Sequence, residues 1–250
     1  MRNGRGKTIM KADPPDKRQP DSERPKAGPG GFVLEHLREV PTHGRTILFL
    51  RHSKRDSFQG VPDHLRPHVE ITPDGIRMAR EFGESLRHFV PGRRLFLAHT
   101  PARRCRMTAQ HIGRGYSPEG HFRIVDYQEE IGDPIVDVDR YIGLRDEFGW
   151  QELILRWLEG EIPGPVMQDP CRYSDKLLKH LVSFDGMDDG DLFVVIGHDI
   201  TIFPILSSLF GKKLTSIEFL NGVVISADTA TAEVRYADPV HSLRTTLKVG

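Results

Sequence analysis

The sequence predicts an α/β domain built on a mainly parallel sheet, and three observations lead to this prediction. Two short apolar runs, at 46–50 and 192–197, each end at a histidine beside a charged residue. Continuous runs rich in Ile, Leu, Phe and Val are typical of strands that are covered on both faces. Helical signals and short connections lie between the predicted strands, which favours parallel strands joined by right-handed crossovers.

The first strand, 46–50, is followed by a polar loop over 52–71 and then by a helix. The helix is announced by Thr72-Pro73-Asp74, which offers a capping hydroxyl, a proline at the first helical position and an acid in the first turn. Pro91-Gly92 is expected to end it. Its inward face is predicted to carry Ile76, Ala79, Phe82 and Leu86.

The second strand–helix unit repeats this pattern. Leu95 to Ala98 forms the strand, and Thr100-Pro101 gives the same capping signal. The following helix is expected to run from Ala102 to about Ile112 and to be ended by Gly113 and Gly115, because glycine disfavours a helix interior.

Residues 116–170 are less regular and are expected to form a cap or insert, although one helix is clear within them. Two tryptophans and three aliphatic residues recur there at helical spacing. We interpret this apolar helix face as part of the core and not as a ligand-binding site. These residues are Trp150, Leu153, Ile154, Trp157 and Leu158. The later elements are predicted at 172–184 (helix), 192–197 (strand), 201–210 (helix), 219–225 (strand) and 231–236 (strand).

Composition narrows the class of protein. The chain has 250 residues and a formal net charge of zero, with 38% hydrophobic residues. A balanced charge argues against a nucleic-acid binder, and no apolar run approaches the roughly 20 residues that a membrane span needs. The chain shows no signal-peptide core and only two cysteines, Cys105 and Cys171. A reducing, cytoplasmic location is therefore expected.

The first 43 residues are predicted to be a disordered tail, preceding a catalytic domain over 44–250. Up to residue 31 this segment is rich in Pro and Gly and carries eight Lys or Arg against four Asp or Glu. Such a composition buries too little apolar surface to offset the entropy of ordering. Residues 32–43 are expected to add a short helix or arm before the first strand.

The residues at the strand ends predict a phosphate site. In open α/β sheets ligands bind beyond the carboxyl ends of the strands, so Arg51-His52 and His198-Asp199 should meet at one edge. Guanidinium groups bind phosphate oxygens, and Arg104 near a helix start would add a second one. A histidine among arginines can attack phosphorus, and Asp199 can protonate the departing oxygen.

Four motifs in order resemble those of the histidine phosphatase superfamily, which includes the phosphoglycerate mutases and the histidine acid phosphatases. They are Arg51-His52-x-x-Arg55, Ile71-Thr72-Pro73-Asp74-Gly75, Thr100-Pro101-x-x-Arg104-Cys105-x-x-Thr108-Ala109 and Gly197-His198-Asp199. The resemblance covers roughly residues 45–226. It implies a three-layer α/β/α sandwich of the phosphoglycerate mutase type, as in a compact bacterial member with a His-Asp second motif.

The resemblance also implies roles for single residues. His52 would be the nucleophile that carries the phosphoryl group, while Arg51, Arg55 and Arg104 would clamp its oxygens. His198 would complete the pocket, holding an oxygen and adding positive character. Asp199 would be the proton donor, although other members use a glutamate downstream of the second arginine, which here is Glu130 or Glu129. No metal and no cofactor is implied.

One departure from the family pattern is Ser53, where a glycine usually follows the nucleophile. The side chain could tighten the turn, crowd the phosphate or donate a hydrogen bond to it, and all three remain open at this point. Cys105 lies within a recurring helical motif without an activating base, so a packing role is expected.

The sequence thus predicts a metal-independent phosphomonoester hydrolase that acts through a phosphohistidine. Its partner would be a phosphorylated small molecule or a phosphoprotein, with no nucleic acid and no membrane. Two alternatives are a mutase that returns the phosphoryl group to its substrate and a non-catalytic module that binds phosphate or phosphopeptides. Specificity is expected to come from loop 53–71 and segment 116–170, which offer Lys54, His64, Arg66, Arg140, Arg145 and Trp150. The oligomeric state is not predicted.

Overall fold

The structure is a computed structural model that describes residues 28–41, 44–125, 129–184 and 186–249. Its helices are α1 (Gly31–Leu37), α2 (Pro73–Phe89), α3 (Arg103–Tyr116), α4 (Val138–Phe148), α5 (Trp150–Leu158), α6 (Pro170–Val182) and α7 (Asp199–Phe210). Its strands are β1 (Arg45–Arg51), β2 (Leu95–His99), β3 (Phe122–Ile124), β4 (Leu192–Gly197), β5 (Gly222–Ala227), β6 (Thr231–Ala237) and β7 (Ser242–Lys248). Two short 3-10 helices, Asp63–His68 and Glu129–Ile131, complete the described elements.

The seven strands form one sheet in the order β3-β2-β4-β1-β5-β6-β7. The first four are parallel to one another, and β5, β6 and β7 continue the sheet as an antiparallel meander. The predicted parallel α/β core is therefore confirmed. Neither β3 nor β7 was predicted, because three residues and an exposed polar alternation give little periodic signal.

Alternate residues of β1 show how the layers are built. Ile47 and Phe49 face a core formed with α5, α6 and α7, whereas Leu48 and Leu50 face one formed with α1, α2 and α3. Side chains of a strand alternate between the faces of a sheet, so a continuous apolar run supplies both cores. This is the expected three-layer α/β/α sandwich.

Helix α1 lies within the segment predicted as a tail. Phe32, Val33, Leu34 and Leu37 are buried, so these residues belong to the folded domain and match the expected short helix. The boundary predicted at residue 43 is wrong for this helix. Residues 1–27 and 42–43 of the predicted tail lie outside the described part of the chain.

The predicted end of the third helix is also wrong, since α3 continues through Gly113 and Gly115 to Tyr116. The reason is close packing against α2. A Cβ on Gly115 would lie 2.1 Å from the carbonyl oxygen of Arg80, and one on Gly83 would lie 2.1 Å from that of Ile112. These glycines let two helix backbones approach and do not end the helix.

The region 116–170 carries β3, α4 and α5. Leu153, Ile154, Trp157 and Leu158 are buried in the core, as predicted. No helix among the described residues is long and apolar enough to cross a membrane.

Candidate active site

Three adjacent parallel strands bring polar side chains to one edge of the sheet. His52 follows β1, Thr100 follows β2, and His198 follows β4. The backbone N–H of His52 donates to the carbonyl of Gly197 at 3.0 Å, and that of Thr100 donates to Ile196 at 3.1 Å. The hydrogen-bond pattern of the sheet therefore continues one residue beyond β1 and β2, and it fixes the backbone positions of His52 and Thr100.

His52 is almost fully buried, with 3% of its surface exposed. Its Nδ1 lies 2.7 Å from the carbonyl oxygen of Ser53, which can only accept, so Nδ1 carries the proton. In the neutral ring, Nε2 then keeps its lone pair, and it has no hydrogen-bond partner among the described residues. Burial, His198 and Arg104 hold the pKa of His52 well below its usual value. The ring is thus ready to act as a nucleophile near neutral pH.

Ser53 is turned away from a ligand in the cleft. Its hydroxyl donates to the carbonyl of Gly75 at 2.7 Å, and its backbone N–H donates to Oγ1 of Thr108 at 3.0 Å. The side chain is fully buried, and its backbone lies outside the left-handed region. Because the hydroxyl joins the loop to α2, this geometry provides neither of the two contacts with a phosphate that were considered for Ser53.

His198 is held from two sides. A guanidinium nitrogen of Arg104 donates to Nδ1 at 3.3 Å, while Nε2 lies 3.1 Å from the hydroxyl of Thr100. Burial and the nearby Arg104 lower the pKa of His198 to about 3. Burial and Arg104 therefore favour the neutral form of His198. Its ring centroid lies 5.5 Å from that of His52 in an edge-on arrangement.

Arg51 is fixed by groups from the opposite side of the cleft. Its Nη1 donates to the carbonyl of Ile217, and its guanidinium lies 4.4 Å from the ring centroid of Phe219. Its Nη2 lies 3.4 Å from Oδ2 of Asp199. Leu220 has a φ of 60°, a conformation that a leucine rarely adopts, and its N–H donates to the carbonyl of Arg51.

Arg55 and Arg104 share an aromatic support. The guanidinium of Arg55 stacks at 3.4 Å over the ring of Phe58, and that of Arg104 lies 5.3 Å from the same ring. Arg66, from the 3-10 helix of the loop, lies 5.3 Å from it on another side. Burial and the charges of Arg104 and Arg51 lower the pKa of Arg55 to about 10, so its guanidinium stays charged at neutral pH.

The three arginines predicted to clamp the phosphoryl group share one feature, a buried Nε atom without a hydrogen-bond partner among the described residues. The Nε atoms of Arg51, Arg55 and Arg104 are buried and lack a hydrogen-bond partner in the described structure. Unpaired buried donors are uncommon, and each costs free energy. A tetrahedral oxyanion bound between these side chains would neutralise part of their charge and accept hydrogen bonds from the guanidinium nitrogens that face it.

The carboxyl candidates differ in their positions. Asp199 begins α7, accepts the N–H of Ile200 at 3.0 Å and pairs with Arg51. Glu129 is exposed, and the side chain of Glu130 lies outside the described residues.

Sequence reasoning missed four residues of this site. Thr100 was taken as a helix cap, but Ala102 holds that position and the Thr100 hydroxyl contacts His198 instead. Phe58 and Phe219 support arginines from irregular segments, where single aromatic residues carry no pattern. Asp133 interacts electrostatically with Arg104, and nothing in its local sequence marks it.

Three of the expected rim residues form ion pairs with carboxylates. Lys54 pairs with Asp74 at 2.7 Å, and Asp63 binds both Arg66 and Arg145, at 2.9 and 2.6 Å. The indole N–H of Trp150 donates to the carbonyl of Thr215, and Arg140 and His64 are exposed. These contacts tie the loop over 63–68 to α4.

Cys105 lies beneath this site. Its thiol is fully buried, with Sγ 3.5 Å from the carbonyl oxygen of Gly197, and burial raises its pKa to about 12. A thiol of this kind is inert, which agrees with the predicted packing role. Within the described ranges, no group of three or more His, Cys, Asp or Glu is arranged to hold a metal ion.

Comparison with known proteins gives a family match. The sequence model of the histidine phosphatase superfamily (branch 1) matches residues 47–237. No curated protein matches the chain.

Among solved structures, similar folds include a mycobacterial hydrolase, with 16% identity, a TM-score of 0.51 and coverage of 74% of this chain and 93% of that one. An open-reading-frame product of Mycobacterium tuberculosis has 14% identity and a TM-score of 0.50, with coverage of 82% and 97%. A phosphoglycerate mutase from Bacillus anthracis has 16% identity and a TM-score of 0.50, with coverage of 75% and 90%. At these identities the likeness concerns the fold.

Proposed function

Because the chain belongs to the histidine phosphatase superfamily, branch 1, we propose that it is a metal-independent phosphomonoester hydrolase that acts through a phosphohistidine on His52. The observation that carries this proposal is the free Nε2 of a neutral His52 beside the charged guanidinium groups of Arg51, Arg55 and Arg104. A phosphoryl group in the cleft would meet a nucleophile and its charge-neutralising donors together.

The first step divides a difficult displacement. Nε2 of His52 attacks phosphorus, and the bond to the ester oxygen breaks. Arg51, Arg55 and Arg104 bind the equatorial oxygens, where charge accumulates in the transition state. The neutral His198, whose Nδ1 accepts from Arg104, can use Nε2–H to donate to one of these oxygens in place of Thr100.

The second step returns the site to its initial state. Water attacks the phosphohistidine, the P–N bond breaks, and its electron pair returns to Nε2 of His52. Because Nδ1 keeps its proton, bonded to the carbonyl of Ser53 throughout, the ring need not turn between the two steps.

An acid must protonate the departing oxygen. We propose Asp199 for this role, with Glu130 as the alternative, on the family resemblance and on the adjacency of Asp199 to His198. The ion pair between Asp199 and Arg51 is an argument against this assignment. The ion pair stabilises the ionised carboxylate, whereas a general acid must be protonated at the start of the reaction.

The substrate that we propose is a phosphorylated small molecule or a phosphoprotein. Support comes from the family match and from the guanidinium groups beside His52, which suit a phosphoryl group on either kind of substrate. A mutase would share this site and would be recognised by an isomerised product, and a binding module by affinity without turnover.

The test is hydrolysis of an activated aryl phosphate in excess EDTA by the wild type, His52→Ala and His121→Ala. His121 has an 80% exposed side chain and serves as the histidine control. We expect turnover in the wild type and the control, loss of at least a thousandfold in His52→Ala, and an acid-labile phosphoenzyme that only the first two form. Activity that survives in His52→Ala would refute the phosphohistidine route, and loss in EDTA that added metal restores would refute metal independence.

A further inference from the structure

The peptide that follows the nucleophile is held by a buried threonine of α3, Thr108. The hydroxyl of Thr108 accepts the backbone N–H of Ser53 at 3.0 Å and donates to the carbonyl of Arg104 at 2.7 Å. The direction of both bonds is settled, because an N–H can only donate and a carbonyl can only accept. One hydroxyl therefore joins the loop after β1 to the helical turn that carries Arg104.

Both partners of this contact are removed from water. Ser53 and Thr108 each have 0% of their surface exposed. A buried N–H that loses its acceptor cannot turn to solvent instead, and unpaired buried donors cost free energy. The Thr108 hydroxyl is therefore the acceptor on which the position of the His52–Ser53 peptide depends.

The loop is also held on the other side of this peptide. The carbonyl of Lys54 accepts the N–H of Thr72 at 3.0 Å, and the hydroxyl of Ser53 donates to the carbonyl of Gly75 at 2.7 Å. The second of these bonds is one that a glycine in place of Ser53 could not form. The Ser53 carbonyl lies between the attachment to α3 and the attachments to the start of α2, so they fix its direction.

The direction of the Ser53 carbonyl decides which nitrogen of His52 carries the proton. Nδ1 of His52 lies 2.7 Å from the Ser53 carbonyl oxygen. In a neutral histidine, the hydrogen bond of one ring nitrogen selects the tautomer. A carbonyl that moves away from Nδ1 would let the ring carry its proton on Nε2. A protonated Nε2 has no lone pair with which to attack phosphorus.

We infer that Thr108 is a positioning residue for the nucleophile, which holds the His52–Ser53 peptide so that the Ser53 carbonyl keeps the proton of His52 on Nδ1. This inference rests on the proposed phosphohistidine reaction. Thr108 acts through Ser53 and not on the substrate, since its side chain is fully buried.

Loss of the Thr108 hydroxyl should impair the attack and spare phosphate binding. Arg104 is carried by the backbone of α3, which is helical from Arg103 to Tyr116. Arg51 is held from another loop, through the carbonyl of Ile217. The clamp should therefore remain in place while the fraction of His52 with a free Nε2 falls.

The kinetic test compares Thr108→Val, which removes the hydroxyl, with Thr108→Ser, which keeps it. For Thr108→Val we expect kcat/KM for an aryl phosphate to fall roughly tenfold to a hundredfold, because a small misplacement of a reacting group is costly. The inhibition constant of inorganic phosphate should change little. Thr108→Ser should stay close to the wild type in both.

Thr46→Val is the matched control, since it removes another buried hydroxyl that accepts a hydrogen bond. Thr46 has 0% of its surface exposed and accepts from Arg93 at 2.5 Å, at the end of β1 far from His52. Its kcat/KM should match that of the wild type, whatever its thermal midpoint.

The tautomer can be read directly by nitrogen-15 NMR of the imidazole rings, with His52 assigned from its missing signals in His52→Gln. Burial, His198 and Arg104 keep His52 uncharged at neutral pH. Nδ1 of the wild type should then show the chemical shift of a protonated nitrogen and Nε2 that of an unprotonated one. In Thr108→Val the two shifts should move toward each other. This measurement needs no turnover, so it separates failure of the inference from failure of the proposed function, in which His52→Ala stays active.

Wild-type kcat/KM in Thr108→Val, or an unchanged tautomer of His52, would overturn the inference. So would a loss that Thr46→Val shares, which would mark a general effect of stability. An equal loss of phosphate affinity would place the role of Thr108 in the clamp and would overturn it as well. Thr108→Ala removes the same hydroxyl without a methyl group that could crowd Ser53, and it repeats the test if Thr108→Val does not fold.

Discussion

The hydroxyl of Thr100 lies 3.1 Å from Nε2 of His198, whose Nδ1 accepts from Arg104 at 3.3 Å. The two contacts fix the ring between β2 and α3 and require its neutral form, since Nδ1 accepts. The pKa of about 3 that burial and Arg104 give His198 agrees with this pattern.

The first prediction concerns stability and pH. The folded pKa of His198 lies below the unfolded value of 6.5, so the stabilisation is present above pH 6.5 and is lost as pH falls below it. Between pH 8 and pH 5 this group alone should remove about 2 kcal/mol from the free energy of unfolding. Urea denaturation at both pH values, with His198→Gln as the non-titrating control, measures the difference. An equal pH dependence of the two proteins would contradict the prediction.

The second prediction concerns the pH profile of kcat/KM. The proposed attack requires neutral His52, and burial lowers the pKa of this ring, so the acid limb should lie below pH 6.5. The pH dependence of kcat/KM for an aryl phosphate, corrected for the ionisation of the substrate, measures this limb. An acid limb above pH 6.5 would contradict the prediction.

A third prediction follows from the ring that supports two clamp arginines. Phe58→Leu removes the stacked surface for Arg55 and a neighbour of Arg104, and cation–π contacts are worth about 0.5–2 kcal/mol. We expect vanadate affinity and kcat/KM to fall roughly threefold to thirtyfold in Phe58→Leu and to be retained in Phe58→Tyr. Equal behaviour of the two variants would contradict a contribution from the aromatic face.

A fourth prediction compares two glycines. A Cβ on Gly75 would lie 2.2 Å from the backbone oxygen of Lys54, which precedes Arg55, whereas one on Gly143 in α4 meets nothing within 4 Å. Gly75→Ala should therefore destabilise the protein by about 1–3 kcal/mol and reduce turnover. Gly143→Ala should be neutral or stabilising by up to about 1 kcal/mol. Thermal unfolding and aryl phosphate hydrolysis measure both, and an undisturbed Gly75→Ala would contradict the close approach.

The sequence was informative wherever a periodic signal and a motif coincided. The strand before His52, the helix after Thr72 and the strand before His198 were all predicted within one or two residues. In each case an apolar period or a capping residue defines the element locally. The meeting of His52 and His198 followed from the rule that parallel strands end at one edge.

The remaining features depend on contacts between distant segments. Gly113 and Gly115 were interpreted as the end of a helix, because their packing partners are not visible in the local pattern. Gly113 packs against the ring of Phe122, and Gly115 packs against the backbone of Arg80 in α2. Thr100 was interpreted as a helix cap because its actual partner, His198, lies 98 positions away in the sequence. Asp133 and Phe58 lie in segments without periodicity, where only the tertiary structure reveals what a side chain faces.

Helix α1 reaches the site through Leu220. The backbone of Gly30, with a φ of 69°, comes so close that a Cβ there would lie 3.2 Å from the Leu220 carbonyl oxygen. Leu220 in turn donates its N–H to Arg51. A shortened protein that begins at the first strand would leave this strained turn without its covering layer. Expression of a minimal domain should therefore start no later than residue 28.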